Sequence, residues 1–269
     1  MKVFVLDFKA VKNTISDIII SMKSIEFVIL AAGKGTRMKS DLPKVLHKIC
    51  GKPLLHHVLN NVEKIFNGTP YVVIGHKADK VKSQFKNRKV FFVLQPEQLG
   101  TGHALMQTEP FLNGKDAVIV VLNGDMPLIS SEIISSLIEY HKKNRASATV
   151  LTVKMDDPTG YGRIIRNRFG HLEKIVEHKD ASLGELEIKE INTGTYCFEA
   201  KELFKYLHNV RKENAQHEYY LTDVIDILRK NGKKVSAYMI EDQHAAIGIN
   251  TKEQLAEAER IFKSRYALQ

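Results

Sequence analysis

Phe27-Val28-Ile29-Leu30-Ala31-Ala32-Gly33-Lys34-Gly35-Thr36-Arg37-Met38 begins as an apolar run and ends as a glycine loop. Phe27–Ala31 is continuously apolar, the pattern of a parallel strand covered on both faces. Small residues directly after such a strand let backbone N–H groups approach a phosphate or a base without a Cβ in the way. Two better-known glycine signatures do not fit. There is no GxxxxGK[ST], and Met38 stands where a dinucleotide fingerprint needs its third glycine. Arg37 and the following Pro43-Lys44 put two cations close behind the loop, which suits a triphosphate.

The same rhythm continues outward. Tyr71–Ile74, Val90–Leu94 and Val118–Leu122 read as further buried strands. A helix is expected from Pro53, with Leu54, Leu55, Val58, Leu59, Val62 and Ile65 on one face. Another is expected from Ser131 to about Lys143, with Ser130 as N-cap. Strand–helix alternation of this kind implies an α/β fold, a Rossmann-like doubly wound mixed sheet with helices on both faces. Beyond about residue 147, Ala148–Lys154, Arg163–Arg166, Leu172–Val176 and Asn192–Phe198 suggest more closely spaced strands, a mixed or antiparallel extension. Helices return at Ala200–Asn209 and at Thr222–Lys230, the latter closed by Asn231-Gly232. Thr251 and Gln254 form a capping-box pattern for a last helix. The expected organisation is an extension over 1–23, one domain over 24–254 and a C-terminal helix over 255–269.

Composition narrows the function classes. Among 269 residues, 40 Lys and Arg face 31 Asp and Glu, a net +9. Apolar (43%) and charged (26%) fractions are those of globular proteins, which excludes a disordered or fibrous chain. No apolar run approaches the roughly 18–20 residues of a membrane span. Cys50 and Cys197 belong to no CxxC or zinc spacing, so a disulfide scaffold is excluded and a reducing, cytoplasmic setting is expected. Met1-Lys2 and Val3–Leu6 imitate a signal peptide, but Asp7 and Lys9 interrupt the run. Met22 reads as a second beginning, so residues 1–21 are expected to lie outside the functional core. The 11 histidines contain no HExxH, and His56-His57 read as surface or groove residues on different helix faces. No GxSxG elbow occurs, and the scattered cations argue against a nucleic-acid surface.

A set of motifs then occurs in order: LAAGKGTRM (30–38), Leu42-Pro43-Lys44-Val45-Leu46, Gly51-Lys52-Pro53, QPEQLGTGHA (95–104), Leu122-Asn123-Gly124-Asp125, TGYGRI (159–164), IVEHKD (175–180), EINTG (190–194) and EYYLTD (218–223). The first three resemble the sugar-nucleotidyltransferase superfamily. The ordered whole resembles the uridylyltransferase domain of the N-acetylglucosamine-1-phosphate uridylyltransferase family, over about residues 24–254. The resemblance implies attack of N-acetylglucosamine 1-phosphate on the α-phosphorus of UTP, with pyrophosphate leaving and Mg²⁺ as cofactor. Such transfer needs positioning and charge neutralisation and no protein nucleophile.

By the same resemblance, Arg37 and Lys44 are the phosphate-binding catalytic cations, and Asp125 and Asn250 the metal ligands. Leu30, Ala31, Ala32, Gly33, Gln95, Gly100, Thr101 and Gly124 form the nucleotide site, with Gln95 reading uracil through an amide that offers both donor and acceptor. Gly162, Glu177 and Asn192 hold the sugar, Asn192 serving either polarity. Asn123 departs from the pattern and is expected to alter nucleotide contacts without abolishing chemistry. The larger relatives carry a C-terminal β-helix acetyltransferase that also forms trimers. Nothing after residue 250 resembles its repeat, so no acetyltransferase activity and no trimer of that type are expected. The expected role is supply of UDP-N-acetylglucosamine for peptidoglycan and lipopolysaccharide, cell-envelope polymers. Two alternatives stand beside it: use of another hexose 1-phosphate, and a non-catalytic nucleotide-sugar sensor of the same fold. The intact Arg37, Lys44, Asp125 and Asn250 argue against the sensor.

Overall fold

The computed structural model describes residues 23–266. The expectations for residues 1–21 lie outside them. Strand β1 (Ser24–Ala31) leads into 3-10 turns at Thr36–Met38 and Lys44–Leu46, then a small hairpin of β2 (Lys48–Ile49) and β3 (Lys52–Pro53), then α1 (Leu54–Glu63). There follow β4 (Tyr71–Ile74), α2 (Ala78–Gln84), β5 (Phe91–Leu94), α3 (Thr101–Met106), α4 (Glu109–Leu112), β6 (Ala117–Asn123) and α5 (Ser131–Asn144). The second half runs β7 (Ala148–Lys154), β8 (Arg163–Arg166), β9 (Leu172–Val176), α6 (Leu183–Leu186), β10 (Glu190–Glu199), α7 (Ala200–Leu207), α8 (Asp223–Lys230), β11 (Val235–Ile240), a 3-10 turn (Gln243–Ala246) and α9 (Lys252–Tyr266).

The main sheet has the order β11-β7-β10-β6-β1-β4-β5, with β8 and β9 branching from β10. β1 pairs in parallel with β4 on one side and β6 on the other, and β4 with β5. β10 is antiparallel to both β6 and β7, so the sheet is mixed as expected. The chain therefore builds outward from β1 on one side before crossing to the other. That reversal opens a crevice beyond the carboxyl ends of β1 and β6, where open α/β sheets take their ligands.

Alternation along the strands decides which core each residue enters. Phe27, Ile29 and Ala31 join Val118, Val120 and Leu122 against α1 and α5, while Val28, Ile119 and Val121 face α3, α7 and α8. A third cluster packs Met38, Ile49 and Leu54 against Ile249, Ala258 and Ile261. Through it, α9 braces the loop that carries Arg37. Each such buried aliphatic contributes about 1.5–3 kcal/mol relative to exposure, so the frame beneath the crevice is stiff.

Most local expectations hold; β5, expected as a buried strand over Val90–Leu94, is Phe91–Leu94 at the sheet edge, where Phe91 and Leu94 are exposed because no further strand covers them. Ser130 caps α5, accepting from the Ile133 N–H at 3.3 Å. Thr251 and Gln254 form the reciprocal cap, at 3.2 and 3.1 Å. Pro53 sits one residue before α1, paired across the hairpin with Lys48. Ile65 lies beyond that helix and is exposed, since Glu63 is the last helical residue. His57 is buried rather than on the surface. Its Nε2 is 3.0 Å from the Ile49 carbonyl and its ring lies edge-on to Phe262.

Candidate active site

Two adjoining cavities, about 490 and 280 Å³, open at the carboxyl ends of β1 and β6. Leu30, Thr101, Asn123 and Asp125 line both and form the wall between them. The larger is walled by Ala31, Ala32, Gly33, Lys44, Gln95 and Gly100. The smaller is walled by Arg37, Gly162, Glu177, Asn192 and Asn250. Every residue expected in the site thus lines one or both cavities except Gly124, which stands behind the wall and donates its N–H to the Leu30 carbonyl at 2.9 Å.

The charged centre lies where the cavities meet. Asp125 follows β6, and its backbone carbonyl accepts from the Ile249 N–H at 3.0 Å, which ties the 248–250 segment to it. Lys44 Nζ donates to the Asp125 carboxylate and, at 3.0 Å, to Oδ1 of Asn250. Arg37 Nη2 donates to the same Oδ1 at 2.8 Å. The polarity of Asn250 is fixed, because its Nδ2 donates to the Gly248 carbonyl at 3.0 Å. Gly35 adopts φ 61°, and a Cβ there would come within 2.7 Å of Lys44 Cβ. Only glycine lets the loop turn this way and the lysine pass beneath it.

This donor set fits a hard divalent cation. A carboxylate and an amide oxygen from distant segments converge on one positive charge, and Mg²⁺ takes few protein oxygens and completes its shell with water and phosphate. Among the described residues no group of three or more His, Cys, Asp or Glu side chains is gathered for a metal. Asp125 and Asn250, side by side on the Lys44 ammonium, would hold such an ion.

In the larger cavity Gln95 follows β5, is 3% exposed, and is anchored by its N–H to the Ile74 carbonyl at 2.7 Å. Its Nε2 donates to the Gly100 carbonyl at 3.1 Å and to His103 Nδ1 at 3.1 Å. The sequence expectation of an amide offering both polarities is thereby corrected, since its donor half is engaged within the protein. Gly100 takes φ 109°, and a Cβ would meet the Tyr219 carbonyl oxygen at 2.6 Å.

In the smaller cavity Asn192 is also less free than the sequence suggested. Its Oδ1 accepts from the Gly194 N–H at 2.9 Å and its Nδ2 donates to the Tyr196 hydroxyl at 2.8 Å. Glu177 accepts from Thr222 Oγ1 at 3.2 Å. Burial pushes its carboxyl above the usual carboxylate range, and Asp223, Asp180 and Glu218 add to the rise. Burial likewise pushes the Tyr161 phenol up. Beneath this wall the guanidinium of Arg163, 1% exposed, donates to the carbonyls of Tyr161 and, at 3.4 Å, Leu186, and to His178 Nδ1 at 3.4 Å.

Several lining residues had no assigned role in the sequence reading. Tyr161, Tyr196, Leu221 and Thr222 line the smaller cavity, and Gln98 and Glu218 the larger. All but Tyr196 fall inside the ordered motifs, yet Thr222 read only as a helix start. Asn123 reaches both cavities, its Nδ2 donating to the Gly194 carbonyl at 3.4 Å.

Residues 27–189, more than half of the chain, match the MobA-like NTP transferase domain. The chain belongs to the MobA-like NTP transferase family. Among curated relatives of this NTP transferase, the bifunctional protein GlmU of Halalkalibacterium halodurans is 52% identical over 238 residues, 88% of this chain and 52% of the relative. That of Geobacillus thermodenitrificans is 52% identical over 242 residues, covering 90% and 52%. The chain spans about half the length of these relatives. Of solved structures, a Bacillus anthracis protein assigned as a glucose-1-phosphate thymidylyltransferase shares the fold at a TM-score of 0.70 and 22% identity, covering 88% of this chain and 95% of that one. HddC from Yersinia pseudotuberculosis, complexed with GMP-PN, aligns at a TM-score of 0.65 and 25% identity, covering 88% and 99%. Among the described residues no helix is long and apolar enough to cross a membrane.

Proposed function

We infer that the chain transfers UMP from UTP to N-acetylglucosamine 1-phosphate, releasing pyrophosphate. The observation that carries this reading is the placement of Lys44, Arg37, Asp125 and Asn250 where two cavities join. One cavity takes the nucleotide and the other the sugar, so the two phosphates meet at the cations. Lys44 neutralises charge building at the α-phosphate, and the Arg37 fork grips two oxygens at once. Glu177 and Asn192 orient the sugar ring, aligning its phosphate for in-line attack. A divalent cation, magnesium by the hardness of its donors, would be held by Asp125 and Asn250 and would supply further neutralisation of the triphosphate. The choice of uracil and of N-acetylglucosamine is supported by the ordered motifs that resemble that uridylyltransferase family, and by the identity to GlmU relatives. Pyrophosphate release from UTP tests the reading: it should require both the sugar phosphate and a divalent cation and stop with EDTA. Release at the same rate without sugar phosphate would overturn it.

A further inference from the structure

The amide of Gln95 is held in one orientation by two acceptors. The Gly100 carbonyl, 3.1 Å away, carries only lone pairs, so the amide atom facing it is the NH₂ group. His103 Nδ1 lies 3.1 Å from the same nitrogen. Both hydrogens of Nε2 are then engaged, one on each acceptor. Nδ1 must be the unprotonated nitrogen of a neutral imidazole, with the proton on Nε2. Gln107 Nε2 lies 3.2 Å from that second nitrogen and also donates to the His103 carbonyl at 3.1 Å. Gln107 is half-buried, so its amide can exchange that bond for water and turn its oxygen to the Nε2–H, whereas Gln95, 3% exposed, has no such exchange. The carbonyl oxygen of Gln95 remains as the atom offered to the cavity that this side chain lines.

The imidazole is itself fixed. Its ring stacks on Tyr219 with centroids 6.1 Å apart and planes at 28°. The backbone of the two segments is joined by Gly102 N–H to the Tyr219 carbonyl and Tyr219 N–H to the Leu99 carbonyl, each 2.8 Å. A half-turn of the ring about Cβ–Cγ would keep its plane but put Cδ2, which carries no lone pair, where Nδ1 now faces Gln95.

We propose that His103 is a positioning residue that sets the amide polarity of Gln95, so that the pocket presents an acceptor to the ring nitrogen of a pyrimidine and selects uracil over cytosine. The proposal rests on the nucleotide-pocket reading above. Uracil N3 carries a hydrogen and donates to Oε1. Cytosine N3 carries a lone pair there, so two acceptors would face each other in a buried site, a mismatch of the kind that proteins use to reject analogues. His103 touches neither phosphate nor sugar and acts only through Gln95.

The test is calorimetric binding of UTP and of CTP, with Mg²⁺, to the wild-type chain, His103→Phe and His103→Asn, with melting curves for each. Phenylalanine keeps the aromatic stack and lacks the acceptor. Asparagine returns an oxygen acceptor near the place of Nδ1. Losing one hydrogen bond to a buried amide should cut the UTP-to-CTP affinity ratio about tenfold in His103→Phe. His103→Asn should restore it to within about threefold, and the KM for the sugar phosphate should not move in either. A folded His103→Phe with the wild-type ratio, or a His103→Asn as impaired as His103→Phe, would overturn the proposal. A wild-type chain with no preference for UTP over CTP would overturn the base-pocket reading itself, an outcome distinct from the other two.

Discussion

Nζ of Lys44 lies 3.0 Å from Oδ1 of Asn250, 206 residues further along the chain. The contact joins the loop after β1 to the segment before α9, and the Asp125 carboxylate on the same ammonium adds the turn after β6. Three segments with no sequence proximity thus converge on one charge. Lys44 and Asp125 side chains are 17% and 14% exposed, so the pair is only partly screened by water.

Replacing Asp125 with Asn keeps the shape and removes the charge. Turnover should fall at least about a hundredfold, the scale for loss of one preorganised electrostatic group. The fold should survive, because Lys44 keeps its contact with Asn250. Mg²⁺ should raise the melting temperature of the wild-type chain and leave that of Asp125→Asn unmoved. Differential scanning fluorimetry with and without the metal, beside pyrophosphate release, checks both.

Arg163→Met removes a buried guanidinium that holds the Tyr161 and Leu186 carbonyls. The orphaned carbonyls should cost about 3 kcal/mol of stability. Because Tyr161 and Gly162 line the smaller cavity, the KM for the sugar phosphate should rise more than tenfold while that for UTP changes little. Equal increases in both would contradict the separation of the two cavities.

Asp223, at the start of α8, is pushed up to about 6 by burial, with Asp180 and Asp226 adding to the rise. Unfolded, the same carboxyl titrates near about 3.9. Between about pH 4 and 6 the unfolded chain has lost a proton that the folded chain retains, so stability from this group falls as pH rises through that window. Asp223→Asn removes the penalty. Relative to wild type, the variant should gain about 1 kcal/mol on going from pH 4 to pH 7.5, a figure discounted for solvent screening. Thermal melts at the two pH values measure it, and a difference of the opposite sign would refute the assignment.

Much of the frame was legible because its signals are local. β1, β4, β6 and β7 have apolar or β-branched centres that composition marks, although β1 starts three residues earlier, at Ser24, than its apolar run, and the caps at Ser130 and Thr251 are pairs three residues apart. The short helices α2, α3, α4 and α6 escaped because four to seven residues are too few to show a helical repeat. β11 escaped because Val235–Ile240 is half-buried at the sheet edge and lacks a strong alternation. In the site, residue identity was readable from ordered motifs, whereas polarity was not. Which face of Gln95 or Asn192 is engaged depends on His103, Gly100, Gly194 and Tyr196, and only the folded chain decides that. Burial of His57 likewise depends on Phe262, which no local pattern links to it.

The central claim is tested most directly by product analysis. The chain is incubated with UTP, Mg²⁺ and either N-acetylglucosamine 1-phosphate or glucose 1-phosphate, and the nucleotide sugar is identified by mass spectrometry while pyrophosphate is counted. The account predicts UDP-N-acetylglucosamine and pyrophosphate in equal amounts, with kcat/KM for the N-acetyl sugar at least about tenfold above that for glucose 1-phosphate, the scale that one well-placed contact supplies. No nucleotide sugar from either acceptor, with the chain folded and the metal present, would contradict it.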